Sequence, residues 1–189
     1  MAQAGPARGH ALSVLRDLAI ETPRFVLRAL AASDRDDLFA HFADPATVEH
    51  MDIQPLTDPA QADAIIDWAT GLGEAGVRWT IRDRAGAFKG TVGFNSIVRE
   101  RASRGEIAYD VVRGARRQGV MAEVLPAVLE AGFGALGLHR IEAMVTPGNV
   151  ASTALLAAHG FTCEGTLRDH AFWKGRFWDQ QVYARLSGR

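Results

Sequence analysis

The chain has 189 residues, 48% of them hydrophobic and 23% charged, with a formal net charge of −1 at pH 7. That length and balance suit one globular domain whose core holds without disulfides, and they exclude a mostly disordered chain. A net charge near zero leaves no chain-wide basic field for nucleic acid or an anionic membrane, and the single cysteine, Cys163, excludes an intrachain disulfide and a cysteine-built metal cage.

No run approaches the ~20 apolar residues of a membrane span. Ala11–Ile20 is broken by Arg16 and Asp17 and lacks the apolar core of a secretory leader, so a cytoplasmic protein is expected. Residues 1–12 read as a frayed tail and 13–189 as a single domain.

Arg24–Leu30 reads as a strand opened by Pro23. Ser33 reads as the cap of a helix with Asp34, Asp36 and Asp37 in its first turn and Leu38, Phe39 and Phe42 on its apolar side. Asp44-Pro45 predicts a second capped helix start, and Thr57-Asp58-Pro59 a third, before Ala62–Leu72. Val77–Ile81 and Gly90–Val98 are β-rich about an Asp83-Arg84-Ala85-Gly86 turn, and Arg99–Gly105 is a polar turn. Glu106–Val111 alternates, which sets Glu106, Ala108 and Asp110 on one face and Ile107, Tyr109 and Val111 on a core face.

Gly119–Phe133 then shows helical period, with Met121, Val124, Leu125, Val128, Leu129 and Phe133 on one stripe. Pro126 lies inside it and should cost roughly 3 kcal/mol or kink the helix, but the stripe resumes in register; Gly137 reads as the stop. Arg140–Thr146 reads as a short strand. A helix starting at Asn149 or Ala151 follows, ended by Gly160 with Phe161 packing back. Thr162–Ala171 and Arg176–Leu186 flank a Lys174-Gly175 turn. The pattern is α+β.

Two stretches invite chemistry. Arg116-Arg117-Gln118-Gly119-Val120-Met121-Ala122 joins a strand end near Val112 to a helix start. Free amides, a partial positive charge and a glycine suit a phosphate or pyrophosphate there; the alternative is a loop with two solvated arginines. In the second stretch, Gly137 to Phe161, Asn149 taken alone is a cap and Ser152 a first-turn residue.

Together these stretches resemble the GCN5-related N-acetyltransferase (GNAT) superfamily. Arg116, Gly119 and Met121 occupy its R/Q-x-x-G-x-G/A positions, and methionine at the last of them resembles the RimJ/RimL branch, which acetylates N-termini of ribosomal proteins. Gly137–Ala143 resembles that branch's L-G-L-H-R-I-E-A, Asn149–Ser152 its N-x-A-S, and Gly160-Phe161 its L-G-F. Glu21–Leu30 resembles its E-T-x-R-L-x-L-R-x-L, and Gly165–Arg168 with Asp179–Tyr183 its final motifs.

The resemblance implies a mixed, mostly antiparallel sheet splayed between its fourth strand, here Glu106–Val112, and its fifth, here Arg140–Thr146, with flanking helices. Acetyl-CoA as co-substrate would lie in the splay, its pantetheine arm on Val111 and Val112 and its pyrophosphate on the amides of Gln118, Gly119, Val120, Met121 and Ala122. Arg116, Arg117 and Asn149 join the cofactor-binding set. The implied activity is transfer of an acetyl group to a primary amine, of a protein N-terminus or a small molecule, by direct attack. A non-catalytic CoA-binding protein and another acyl-CoA stay open as alternatives, as does a homodimer.

Within that frame Glu106 is the candidate general base, since an ammonium must lose a proton before it attacks a thioester. Asp110 is a weaker candidate; the bland reading makes both carboxylates solvated or partners of Arg101 and Arg104. The tyrosine that many members use as general acid falls here on Leu156, which leaves Ser152 as the candidate acid. Trp79, Trp173, Trp178 and His170 line an acceptor pocket or simply pack. His41, His50 and His139 have no metal-ligand spacing, and Cys163 is expected as a small buried hydrophobe.

Overall fold

The computed structural model describes residues 19–100 and 102–188. Its elements run β1 (Ile20–Glu21), β2 (Phe25–Ala29), α1 (Arg35–Phe42), α2 (Pro59–Gly71), β3 (Val77–Asp83), β4 (Phe88–Val98) and β5 (Arg104–Val111). They continue α3 (Val120–Phe133), β6 (Arg140–Val145), α4 (Val150–Ala158), β7 (Thr162–Trp173) and β8 (Arg176–Leu186). The strands form one sheet in the order β1-β2-β3-β4-β5-β6-β8-β7. Every pairing is antiparallel except that of β5 with β6.

That exception shapes the molecule. β5 and β6 pair over only Arg104↔Arg140, Gly105↔Ile141 and Glu106↔Glu142. Beyond Glu106, β5 runs on to Val111 beside β4 alone, and β6 runs on to Val145 beside β8 alone. The sheet therefore opens into a V with Glu106 at its vertex, the splay expected between the family's fourth and fifth strands.

Two cores hold the layers together. The larger lies under α3, whose Val120, Met121, Val124, Leu125, Val128 and Leu129 pack on Phe94, Ile107 and Ile141 of the sheet. The smaller gathers Leu30, Leu38, Phe42, Val48, Leu56 and Ile66 around α1 and α2. α3 runs through Pro126. The Ala122 carbonyl, which proline leaves without its helical partner, lies 3.3 Å from His159 Nε2. α2 starts as predicted, with Asp58 accepting from the Ala60 N–H and Gln61 reaching back to the Asp58 N–H.

Several expectations are corrected. Ser33 is not the cap of α1; it lies in a short 3₁₀ turn, and Asp34 holds the cap position. The Asp34 carboxylate turns inward instead of capping, bonded by Arg28, Arg82 and the Ala31 N–H. Asp44-Pro45 starts no helix: Asp44 Oδ1 accepts from the Ala46 N–H, and residues 43–58 run as turns that close with Leu56 N–H on Phe42 O. α3 stops at Gly134, three residues before Gly137. Cys163 is exposed, because β7 is the outer edge of the sheet. Among the described residues, no helix is long and apolar enough to cross a membrane, and no group of three or more His, Cys, Asp or Glu could hold a metal ion.

Candidate active site

The open edge of β5 is set by peptide planarity. Val112 N–H donates to Lys89 O on the β4 side, so the Val111 carbonyl, anti to it, points away from β4. Asp110 O faces Gly90 so closely that a Cβ there would lie 2.1 Å away, which only glycine permits. The Val111 N–H therefore also points into the V. Val112 is corrected: its N–H is bonded to Lys89 and its C=O to Ala115, so it offers no free group for an added strand. Val111 differs in that its N–H and C=O both face the opening, with Arg116 Nε 3.3 Å from the carbonyl.

The loop after β5 is held from below. Gly119 takes φ +74° as the cap residue of α3. Arg24, just before β2, donates to Gln118 O at 3.0 Å and Gly119 O at 3.2 Å. With those carbonyls fixed, the N–H groups of Gly119 and Val120 face the opposite way, outward. Val120 and Met121 are buried through their side chains and present only amides, while Arg117 and Ala122 are exposed. Arg116 is not aimed at an outside anion: it bonds Val111 O, Ala46 O and Thr47 Oγ1, tying the loop to residues 43–58. Gln118 likewise folds back on Gly114 O.

Arg24 is itself locked by Glu123, at 2.6 Å from its Nε, while the Arg24 N–H and Thr22 Oγ donate to the same carboxylate. This lock joins residues 99 apart. Burial pushes the Glu123 carboxyl up, but the hydrogen bonds from Arg24 and Thr22 outweigh it and hold the group at about 2, against an ordinary 4.5. A depressed value stabilises the fold above the unfolded value and is lost as pH falls. We expect Glu123→Gln to lower Tm at neutral pH, and the gap from the parent protein to close as pH drops from about 4.5 to about 2. Thermal unfolding followed across that range checks this; a gap that stays constant would show the lock carries no charge.

Glu106 stands at the vertex, half-buried. Burial first, and then the Glu142 carboxylate, raise its carboxyl above the ordinary value; Arg104 and His170 pull it down less, and Asp52 adds a small upward push. Glu142 is buried and fixed between Arg104 Nη1 at 2.5 Å and Arg140 Nε at 2.6 Å, which favours its charged form beside Glu106. Burial opposes that charge, but the bonds from Arg140 and Arg104 prevail and lower the Glu142 carboxyl. Above Glu106 the 43–58 turns arch over the sheet. Lys174 Nζ reaches Val48 O at 2.5 Å, and Thr146 Oγ1 donates to His50 O at 3.3 Å.

Asp110 is corrected as a rival base. Its parity with Glu106 is right, but α1 covers that end of the face. His41 Nε2 is 2.7 Å from Asp110 Oδ1, and Thr91 and Arg78 hold Oδ2. Burial would raise this carboxyl, yet His41 and Arg78 hold it low. Among the aromatics, Trp79 is fully buried in the core. Trp173 and Trp178 stack at 5.4 Å with Arg176 over the latter ring. His170, exposed on β7, is near enough to Glu106 to act on its charge.

On the opposite face, Ser152 lies in the first turn of α4. Asn149 caps that helix, its Oδ1 accepting from the Ser152 N–H at 3.2 Å, so only its NH₂ is left for a ligand. Leu156 is fully buried. Tyr109 packs against the core as expected, partly buried, and carries its hydroxyl to 2.7 Å from Ser152 Oγ. Sequence reasoning missed this pair and the Arg24–Glu123 lock, since neither has a local pattern.

Residues 24–162 match the acetyltransferase (GNAT) domain family. The uncharacterized N-acetyltransferase YoaA of Bacillus subtilis (strain 168) is 33% identical over 173 residues, 90% of this chain and 97% of that protein. Mycobacterium smegmatis RimJ, solved with CoA-disulfide, superposes with a TM-score of 0.78 at 23% identity, covering 86% of this chain and 82% of that one. The ribosomal-protein-S5-alanine acetyltransferase of Vibrio fischeri superposes with a TM-score of 0.77 at 21% identity, over 91% and 98%. Those two share the fold. The sheet parted at Glu106 and the amide-bearing loop before α3 thus have a family to belong to: the chain is a member of the GNAT acetyltransferases, which draw their acyl group from acetyl-CoA, and is itself an N-acetyltransferase.

Proposed function

We propose that the protein acetylates a primary amine, with the α-amine of a protein N-terminus, as in the RimJ/RimL branch, as its acceptor. The observation that carries this reading is the V between β5 and β6, with a carboxylate of raised pKa at its vertex. The groups present suit acetyl-CoA. The outward Val111 N–H can pair with an extended arm, and the Gly119 to Ala122 amides can meet a pyrophosphate beside the exposed Arg117. Asn149 can add its NH₂.

Acetyl-CoA supplies the activated acyl carbonyl. Glu106 takes a proton from the acceptor ammonium, directly or through water, so that the free amine attacks. The Val111 N–H polarises the thioester oxygen as charge develops on it. Ser152 Oγ–H donates to the departing sulfur. Asp52 and His170 lie on the Glu106 side and frame the acceptor's entry.

The test is a thiol-release assay with acetyl-CoA and matched acceptors: peptides with free N-termini, the same peptides N-terminally blocked, and small polyamines. Turnover is expected with free peptides and not with blocked ones. Turnover confined to polyamines would move the acceptor to small amines. No release across the panel from a protein that binds acetyl-CoA would overturn catalysis itself.

A further inference from the structure

The hydroxyl pair across the V is used only in part by that reading. Tyr109 belongs to β5 and Ser152 to α4, 43 residues later, and their oxygens are 2.7 Å apart. The two elements flank the opening. Tyr109 lies three residues beyond Glu106, so strand alternation puts it on the opposite face from the base.

We propose that Tyr109 is a positioning residue for the leaving group: its phenol donates to Ser152 Oγ and turns the serine's own proton into the opening. The inference rests on Ser152 acting at the departing sulfur. A first-turn serine ordinarily returns its hydroxyl to a backbone carbonyl of its own helix. Thr153, the next residue, does so, on Val150 O at 3.0 Å. Ser152 instead meets a phenol, the more acidic of the two hydroxyls and hence the donor.

Burial pushes Tyr109 up to about 12, against the smaller downward pull of the Ser152 bond. The phenol thus stays protonated and donating at any working pH. Leu156 brings no hydroxyl to α4 at its buried position; the strand supplies one from the other side of the opening. In the step itself, the C–S bond breaks with its electron pair going to sulfur, and the Ser152 proton passes to sulfur. As it does so, the Tyr109 proton passes along the same hydrogen bond to Ser152 Oγ, because a serine alkoxide is far more basic than a phenolate, and water then returns a proton to Tyr109.

Tyr109→Phe removes one oxygen. It should lower kcat on the order of tenfold, as expected for one bond to a group that gains charge in the transition state. KM for acetyl-CoA should stay unchanged, and the deficit should ease with an acyl thioester of a lower-pKa thiol. Combining it with Ser152→Ala should add no further loss. A second readout needs no turnover. The chain has two tyrosines, so in a Tyr183→Phe background tyrosinate absorbance reports Tyr109 alone. Adding Ser152→Ala should move that titration to higher pH.

A Tyr109→Phe protein with parental kcat, whatever its Tm, would make Tyr109 a strut and overturn the proposal while Ser152→Ala remained slow. Parental kcat in Ser152→Ala would instead remove the reading on which it rests. An unmoved titration would show that the two hydroxyls are not bonded.

Discussion

Glu106→Gln is expected to lower kcat by on the order of 10²–10⁴-fold, the usual contribution of a positioned general base, while acetyl-CoA affinity barely changes. The amide keeps the shape and loses the proton-accepting charge. Burial and the fixed Glu142 carboxylate raise the Glu106 carboxyl, and a base works only when deprotonated. Activity should therefore rise with pH along an acid limb displaced above the ordinary glutamate range, and the variant should lack that limb. The loss should shrink at higher pH, where more acceptor arrives already deprotonated. A pH–rate profile of both proteins, with calorimetry for acetyl-CoA, checks all three. A variant with a near-parental, pH-independent rate would return Glu106 to a structural role.

Gly119→Glu is expected to abolish measurable acetyl-CoA binding while the domain stays folded. Gly119 takes φ +74°, a left-handed conformation that costs an ordinary residue roughly 1–2 kcal/mol. A new Cβ would meet Arg24 Nη2 at 3.4 Å, ordinary contact that the core does not feel. The damage is electrostatic: a carboxylate is added to the loop proposed to meet phosphate, and Arg24, which now orients the loop carbonyls, gains a competing partner. Calorimetric titration and a thermal melt separate the cases. Folded protein that binds acetyl-CoA like the parent would overturn the phosphate-loop assignment; Gly119→Ala, carrying the strain without the charge, should bind with intermediate affinity.

Much of this was legible in the sequence because it is written locally. The α3 stripe survives Pro126 since core contacts repeat every turn. The hairpins follow their Asp-Arg-Ala-Gly and Lys-Gly turns. What was illegible is written at long range or against local rules. β1 has only Ile20 and Glu21 and no period to read. Asp44-Pro45 carries a helix-start signature, yet the apolar residues after it, Val48 and Leu56, are drawn into the α1–α2 core from turns. Asp110 falls on the predicted face, but alternation cannot say that α1 covers it with His41. Cys163 was misplaced because burial propensity does not tell an edge strand from a central one. At the site, Glu106 could be named from alternation and resemblance; its tuning by Glu142 needed the parallel register.

That register also acts as a ruler. A ligand arm lying along β5 from Val111 can extend inward only to Glu106, where β6 occupies the pairing edge. The free stretch from Ile107 to Val111 measures roughly 13 Å at strand rise. The inner limit of that open edge is thus a property of how β5 and β6 are aligned. A slip of one residue between them would move that stop by about 3.3 Å. Two of the three rungs are pinned by ion pairs: Arg104 and Arg140, paired with each other in the first, both hold Glu142 in the third. The two arginines and the buried glutamate of β5 and β6 thus fix where the open edge of β5 begins.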